Sequence, residues 1–426
     1  MAVGIVVGLF LLLLLLGIPI CYAVGIPSMI YFLVFHPELL PIVPLRVFGG
    51  VDKISLIALP LFITMGLMMN AGGLTQRIID VTLIFLGRIA GGLGLVNVAA
   101  SMVFGGISGS SVADTASIGA VLIPQMEKKG YRKRIATGIT VASSTVGMII
   151  PPSVPMVIYA VASAQSVGRL FLAGATPGIM IGVFMLVITF LIGRRRKWPR
   201  ENLKWTTKES MKKILQAAPA IGMPLFIVGV IVFGIATPTE AAGLGVLYAL
   251  VFGLFIYREL KLHMIPGILK EAIFTSASIM MIVTFSSLFG WILINERVPD
   301  MLAKFLFSLN LPPAGALLLF AALLFFVGDF IDVSPAILLL TPIFLPAMVQ
   351  MGISPIQFGA VLIVGLAIGL ATPPVGQCLN VANKVSGMDI MQTCIGSLPW
   401  LLANGVTLIL LCIFPQLSLW LGNLLY

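Results

Sequence analysis

Long apolar runs, punctuated by short polar or glycine- and proline-rich stretches, fill almost the whole chain. Runs long enough to cross a membrane occupy residues 2–23, 25–45, 54–72, 168–193, 219–236, 238–257, 265–295 and 396–424. Four shorter pieces break this pattern. Residues 94–108 and 110–126 are two apolar arms joined by Gly105-Gly106-Ile107-Ser108-Gly109-Ser110-Ser111, and 314–328 and 334–349 are joined at Gly328-Asp329-Phe330-Ile331-Asp332. An arm of about 15 residues rises about 22 Å, short of a hydrocarbon core of about 30 Å, which predicts re-entrant hairpins. Behind each hairpin lies a segment, 135–165 or 356–386, split by Pro-Pro. Proline removes a backbone donor and clashes with the preceding turn, so helix breaks are predicted near Pro151 and Pro373. Ahead of each hairpin an amphipathic stretch, 74–80 or 298–304, predicts an arm lying along the interface.

The two sets of elements repeat each other. At an offset of 222 residues, without a gap, Gly106 falls on Gly328, Pro124 on Pro346, Gly130 on Gly352, Gly147 on Gly369, Pro151-Pro152 on Pro373-Pro374, and Gly174 on Gly396. Most shared positions are Gly or Pro, which fix backbone shape rather than side-chain chemistry. Interrupted hydrophobic segments at matching places in two halves point to the binding site of a secondary transporter. The fold class is therefore an all-α polytopic membrane protein of two inverted-topology repeats, each with a re-entrant hairpin and a Pro-broken helix. The first repeat covers 1–193, with outer helices in 1–72, an arm in 73–93, hairpin 94–126, broken helix 135–165 and helix 168–193. Residues 194–218 form a linker. The second covers 219–426, with outer helices in 219–295, an arm in 296–312, hairpin 313–349, broken helix 356–386 and terminal helix 396–424.

Composition agrees: 59% of residues are hydrophobic and 9% charged, against about 25% charged in a soluble chain. Residues 2–17 have no basic leader and no small-residue cleavage site, so a first membrane helix is expected rather than a signal peptide. The net charge of +10 would suggest nucleic acid in a soluble protein, but here it is local. Nine Lys/Arg and two Glu lie between Arg194 and Lys213, which makes this segment a cytoplasmic loop by the positive-inside rule. Residues 127–134, at the mouth of the first hairpin, carry five basic side chains and one acidic; their equivalents 350–355 carry none. That asymmetry is what oppositely inserted halves predict, with both termini on the periplasmic side. Cys21, Cys378, Cys394 and Cys412 sit in apolar stretches as small hydrophobes, and His36 and His263 are too far apart for a metal cluster.

A helix that breaks at membrane depth frees N–H groups at one end and C=O groups at the other, and such ends persist only beside water, ligand or protein. The C=O ends suit Na+; the positive N-terminal ends suit an anionic substrate group. Two hairpin tips facing two breaks would thus make two cation sites with substrate between them. The first site is assigned Ser108, Ser110, Ser111, Asp114, Gly147 and Ser153, and the second Gly328, Asp332, Ser334, Gly369, Thr372 and Val375, with Asp329 as a further oxygen donor. Ser144, Thr145, Pro152, Gln377, Asn380 and Asn383 are assigned to substrate. A lone Ser or Thr is equally explained by a bond back to its own helix, and each Asp by a hairpin cap. Carboxylates at membrane depth are costly enough to point to function. Glu240, in Ala236-Thr237-Pro238-Thr239-Glu240, reads first as a helix cap and second as a docking residue.

Four motifs in order carry a family resemblance: residues 106–114 (GISGSSVAD), Ile150-Pro151-Pro152-Ser153, Ala236-Thr237-Pro238-Thr239-Glu240-Ala241-Ala242 and Ala371-Thr372-Pro373-Pro374-Val375-Gly376. Together they resemble the large membrane subunit of tripartite ATP-independent periplasmic (TRAP) transporters, over essentially the whole chain. The resemblance implies a Na+-driven importer of organic acids in the bacterial inner membrane, of the sialic acid or C4-dicarboxylate class, working by an elevator mechanism. It also implies two partners, a small membrane (Q) subunit and a periplasmic solute-binding protein, the former expected as a separate chain. No cofactor is implied beyond Na+ as coupling ion. The nearest alternative is a standalone Na+/dicarboxylate symporter of related architecture. An enzyme is not expected, because no Ser/His/Asp set, Cys/His pair or HExxH spacing occurs. A channel would call for rings of charge rather than two hairpin clusters.

Overall fold

Prolines and glycines decide where the helices of this chain stop. The computed structural model describes residues 2–201 and 205–426, and every regular element among them is helical. Lys204 of the basic segment lies outside the described residues. Among the described residues eight helices are long and apolar enough to cross a membrane, including Val167–Arg195, Thr207–Val232 and Leu262–Asn295.

The first two expected spans, 2–23 and 25–45, are divided differently. Helix Ala2–Leu15 ends at Gly17, whose φ of 75° is left-handed; Pro19 then leads into Ile20–Ile30, which runs on as a π-turn to Phe35. A separate helix, Ile42–Val51, follows the corner at His36-Pro37. Hydropathy is continuous across these points, but proline disfavours the α-conformation in the residue before it and glycine takes positive φ without cost. Likewise 396–424 is two helices, Ile390–Ile413 and Gln416–Leu425, parted at Pro415.

The second half of the linker is helical, because Thr207–Val232 opens on a capping box. Thr206 Oγ accepts from Glu209 N–H at 3.3 Å and the Glu209 carboxylate accepts from Thr206 N–H at 2.8 Å. Thr237 and Glu240 form the same box at the start of Pro238–Val251.

The first hairpin consists of Gly92–Ser108 and Ser111–Lys128, the second of Pro313–Phe330 and Val333–Gln350. At 18 residues each, the second pair is long enough to span, so length does not make it re-entrant. Its tip packs on the broken helix: Gly328 is buried against Gly369. Both expected breaks are present. Lys133–Ser144 ends in a 3-10 turn, Thr145–Met148, and the chain restarts as Val154–Ser163; Pro355–Gly369 stops and restarts as Gln377–Ser386. The Pro151-Pro152 and Pro373-Pro374 bonds are both cis.

Packing between the halves has twofold logic. Ser111–Lys128 packs on Gln377–Ser386, and Val333–Gln350 packs on Val154–Ser163. Exchanging the halves at the 222-residue offset turns one contact into the other. The hairpins also open at opposite ends. At the base of the first, Lys129 pairs with Glu201 at 2.9 Å, and Glu201 N–H bonds to Gly87 O at the end of the arm Leu74–Leu86. That arm is held by Arg77 to Glu259 at 2.7 Å. At the base of the second, Gln350 reaches Asp300 at 3.5 Å, close in sequence to Glu296, which accepts from Tyr31 Oη at 2.6 Å. Glu259 and Glu296 flank opposite ends of Ile265–Asn295, whose 31 residues rise about 46 Å.

The broken helices form the core: every residue from Ile356 to Gly369 is buried. Between membrane helices, packing and hydrogen bonds replace the hydrophobic drive, so close approach needs small residues. A Cβ on Gly138 would land on the carbonyl of Gly396, and one on Gly396 on the carbonyl of Arg134. Gly138→Ala should therefore lower stability by about 1–3 kcal/mol through overpacking, seen as a lower unfolding midpoint in detergent. Gly222→Ala, with nothing within 4 Å, should cost no more than about 0.5 kcal/mol. Equal midpoints would mean that the two helices do not meet at these glycines.

Candidate functional site

Gly109, with φ of 60°, turns the first hairpin at its tip, and Ser110 caps the returning arm by accepting from Ala113 N–H at 3.4 Å. One turn further on, Asp114 is wholly buried. Ser108 Oγ donates to its Oδ1. Among the described residues its Oδ2 has no hydrogen-bond partner, and neither does the buried Ser111 Oγ. The carboxylate lies over the 3-10 turn of the first broken helix, where a Cβ on Gly147 would strike Oδ2 and one on Gly105 would strike Gly147. Ser153 closes the break by donating to Met148 O at 2.5 Å while capping Val154–Ser163. No ion pair among the described residues involves Asp114. An ionised carboxylate so placed costs several kcal/mol unless a cation or proton joins it.

The second tip solves the same problem with different residues. Asp329 Oδ1 accepts from Thr372 Oγ at 2.5 Å, and that hydroxyl also lies 3.1 Å from Gly369 O and 3.2 Å from Ile368 O. Asp332 Oδ1 accepts from Val333 N–H at 2.7 Å, capping the returning arm. Val375 O, past the break, accepts from Asn380 Nδ2 at 2.8 Å. The halves are thus alike in backbone and unlike in chemistry: the first places its acid inside the returning arm, the second places two acids at the tip.

Both tips line one cavity of about 440 Å³, with Ser108, Ser110 and Ser111 from the first, Asp332 and Ser334 from the second, and Gln377 from the second restart. Four helices begin at its wall, Ser111–Lys128, Val154–Ser163, Val333–Gln350 and Gln377–Ser386. Each N-terminus carries about half a positive charge, and together they make a field that suits an anion. Among the described lining residues there is no Lys, Arg or His. The outer helices complete the wall with Asn70, Glu271 and Thr275. Asn70 and Glu271 are exposed, so the mouth lies at the end of the molecule that carries Arg77 and Glu259.

Of the residues assigned to substrate, only Gln377 lines this cavity. Ser144 is buried behind it, 2.6 Å from Thr115 Oγ, and Thr145 donates to Ala142 O at 2.6 Å and accepts from Asn404 Nδ2 at 2.8 Å. Pro152 is buried in the break beside Gly109. Asn380 bonds to Val375 O, and Asn383 Nδ2 to Met388 O at 2.9 Å. Three features are absent from the sequence assignment. Thr115 and Asn404 brace the first break, and Glu271 stands at the mouth. Asn404 and Glu271 each carried a signal, a strongly polar side chain within an apolar run.

No group of three or more His, Cys, Asp or Glu placed to hold a metal occurs among the described residues. The donors at both tips are hydroxyls, carboxylates and carbonyls, which suit a hard cation rather than zinc or copper.

A family model described as tripartite ATP-independent periplasmic transporter, DctM component, matches residues 7–417. The chain is 36% identical over 412 residues to the sialic acid TRAP transporter large permease protein SiaM of Vibrio cholerae, covering 97% of this chain and 96% of that one. It is 36% identical over 401 residues to the C4-dicarboxylate TRAP transporter large permease protein DctM of Pseudomonas aeruginosa, covering 94% of each. Among solved structures, the YdaH transporter of Alcanivorax borkumensis matches with a TM-score of 0.64 over 98% of both chains at 15% identity, a likeness of fold alone.

If the unpaired oxygen of Asp114 holds a cation, Na+ at 100 times its Kd should stabilise the protein by about 2.7 kcal/mol relative to choline. Gly147→Ala, which pushes a methyl into that carboxylate, and Asp114→Asn should each reduce the Na+-induced rise in unfolding midpoint. An undiminished rise in both variants would remove this pair from the ion site.

Proposed function

The chain belongs to the DctM component family of the tripartite ATP-independent periplasmic transporters, and from that premise we propose that it is the large membrane subunit of a Na+-coupled importer of organic acid anions. The observation that carries this is the lining of the cavity. Four helix N-termini favour an anion there, yet no basic side chain among the described lining residues meets it, and Asp332 and Glu271 repel it. Bound cations at the two tips would supply the missing positive charge and would make substrate binding depend on them. The named substrates of the two relatives, sialic acid and C4-dicarboxylate, are both carboxylates, and this chain is assigned that broad class.

In the proposed cycle the hairpins and broken helices carry the site across the membrane as one body, against the outer helices, in an elevator mechanism. The cavity opens at the end bearing the basic residues 127–134, 194–201 and 205–213, which the positive-inside rule makes cytoplasmic. On this reading the cavity faces the cytoplasm, with both termini periplasmic. Delivery falls to a periplasmic solute-binding protein, and a small membrane (Q) subunit completes the complex in the bacterial inner membrane.

Uptake into proteoliposomes tests this, using the chain with its small subunit and a panel of organic acids loaded on the cognate binding protein. Uptake should require an inward Na+ gradient. Asp332→Ala and Thr372→Ala should each lower the response at limiting Na+ by about tenfold, equivalent to about 1.4 kcal/mol. Full uptake driven by a proton gradient without Na+ would end the Na+ assignment. Uptake without any binding protein would favour a standalone symporter.

A further inference from the structure

A second, larger cavity of about 1000 Å³ lies away from the transport site, between the start of Thr207–Val232, the arm residue Arg77 and the turn at Ile256 and Tyr257. We propose that it seats an anionic phospholipid of the leaflet at the basic end of the molecule. Along one face of the helix its wall runs Lys208, Met211, Lys212, Leu215, so that two cations one turn apart stand beside two apolar side chains, with Ile256 also lining the cavity. A phospholipid presents the matching pair, a phosphate and acyl chains.

The two lysines are free to take the phosphate. Neighbouring cations are already engaged, Arg77 with Glu259 at 2.7 Å and Lys213 with Asp80 at 2.5 Å, whereas Lys208 and Lys212 are in no ion pair among the described residues. The one acid in the wall, Glu209, is turned back onto its own helix end by bonds from Thr206 N–H at 2.8 Å and Thr206 Oγ at 3.0 Å. It therefore competes only weakly for the lysines. The apolar side chains are exposed, Met211 at 54%, Leu215 at 65% and Ile256 at 55%. Apolar side chains beside two unpaired cations match an anionic lipid better than an apolar helix from a partner subunit, which would leave both charges unmatched.

Native mass spectrometry of the purified, delipidated protein with its small subunit tests the site, with phosphatidylglycerol and phosphatidylethanolamine as added probes. Phosphatidylglycerol should bind more tightly than phosphatidylethanolamine. The Lys208→Gln/Lys212→Gln variant should weaken phosphatidylglycerol by about thirtyfold, the loss of two lysine–headgroup attractions, and leave phosphatidylethanolamine unchanged. The Arg195→Gln/Arg196→Gln variant removes the same charge outside the cavity and should change neither. Equal binding of the two lipids, or equal loss in the two variants, would overturn the proposal. So would displacement of phosphatidylglycerol by glycerol phosphate at the same concentration, or release of the small subunit rather than lipid from the lysine variant.

Discussion

A backbone that leaves its helix inside a membrane must find partners for every N–H and C=O it frees, and this structure is organised around that demand. Each half breaks one helix at a double proline and brings a hairpin tip against the break. Hydroxyls serve the freed groups directly: Ser153 donates to Met148 O across the first break, and Thr372 reaches the carbonyls of Gly369 and Ile368 at the second. Close approach is possible because glycines face each other, Gly105 against Gly147 and Gly328 against Gly369. Serine and aspartate caps then turn the restarting N-termini toward a common cavity. The anion-favouring field is thus a consequence of how the breaks are satisfied.

Glycine and proline also explain why so much of the architecture could be read from sequence. Both hairpins, both breaks and the inverted relation follow from residues whose backbone preferences act locally and recur at one offset. The corners at Gly17-Ile18-Pro19 and Pro415 use the same residue types but have no counterpart in the other half, and continuous hydropathy hid them. The linker was legible as charge and only half right as structure, because its helix starts with a capping box at Thr206 rather than with apolar residues.

Side-chain partnerships were less legible, since they depend on which helices meet. Ser144 and Thr145 stand beside the first break in sequence, yet Thr115 and Asn404, 29 and 259 residues away, claim their hydroxyls. Asn380 and Asn383 lie about one and two turns after Gln377, but their amides close carbonyls at Val375 and Met388. Composition identifies such residues as expensive at membrane depth; only tertiary contact says whether a neighbour or a ligand bears the cost.

The unlike chemistry of the two like halves has a consequence under the proposed function. Asp114 is sealed within the protein behind Ser108, whereas Asp332 lines the cavity itself. A cation at the first tip would chiefly fix the hairpin against its broken helix and so complete the wall. A cation at the second would lie where the substrate's own negative charge is held. Linkage then runs both ways: whatever binding free energy the cations lend to the anion, the anion returns to them. Either ligand alone leaves unlike charges unmatched in a poorly solvated cavity, and that penalty opposes movement of a partly loaded site. Coupling can thus arise from electrostatic completeness, with no separate gate for each ligand.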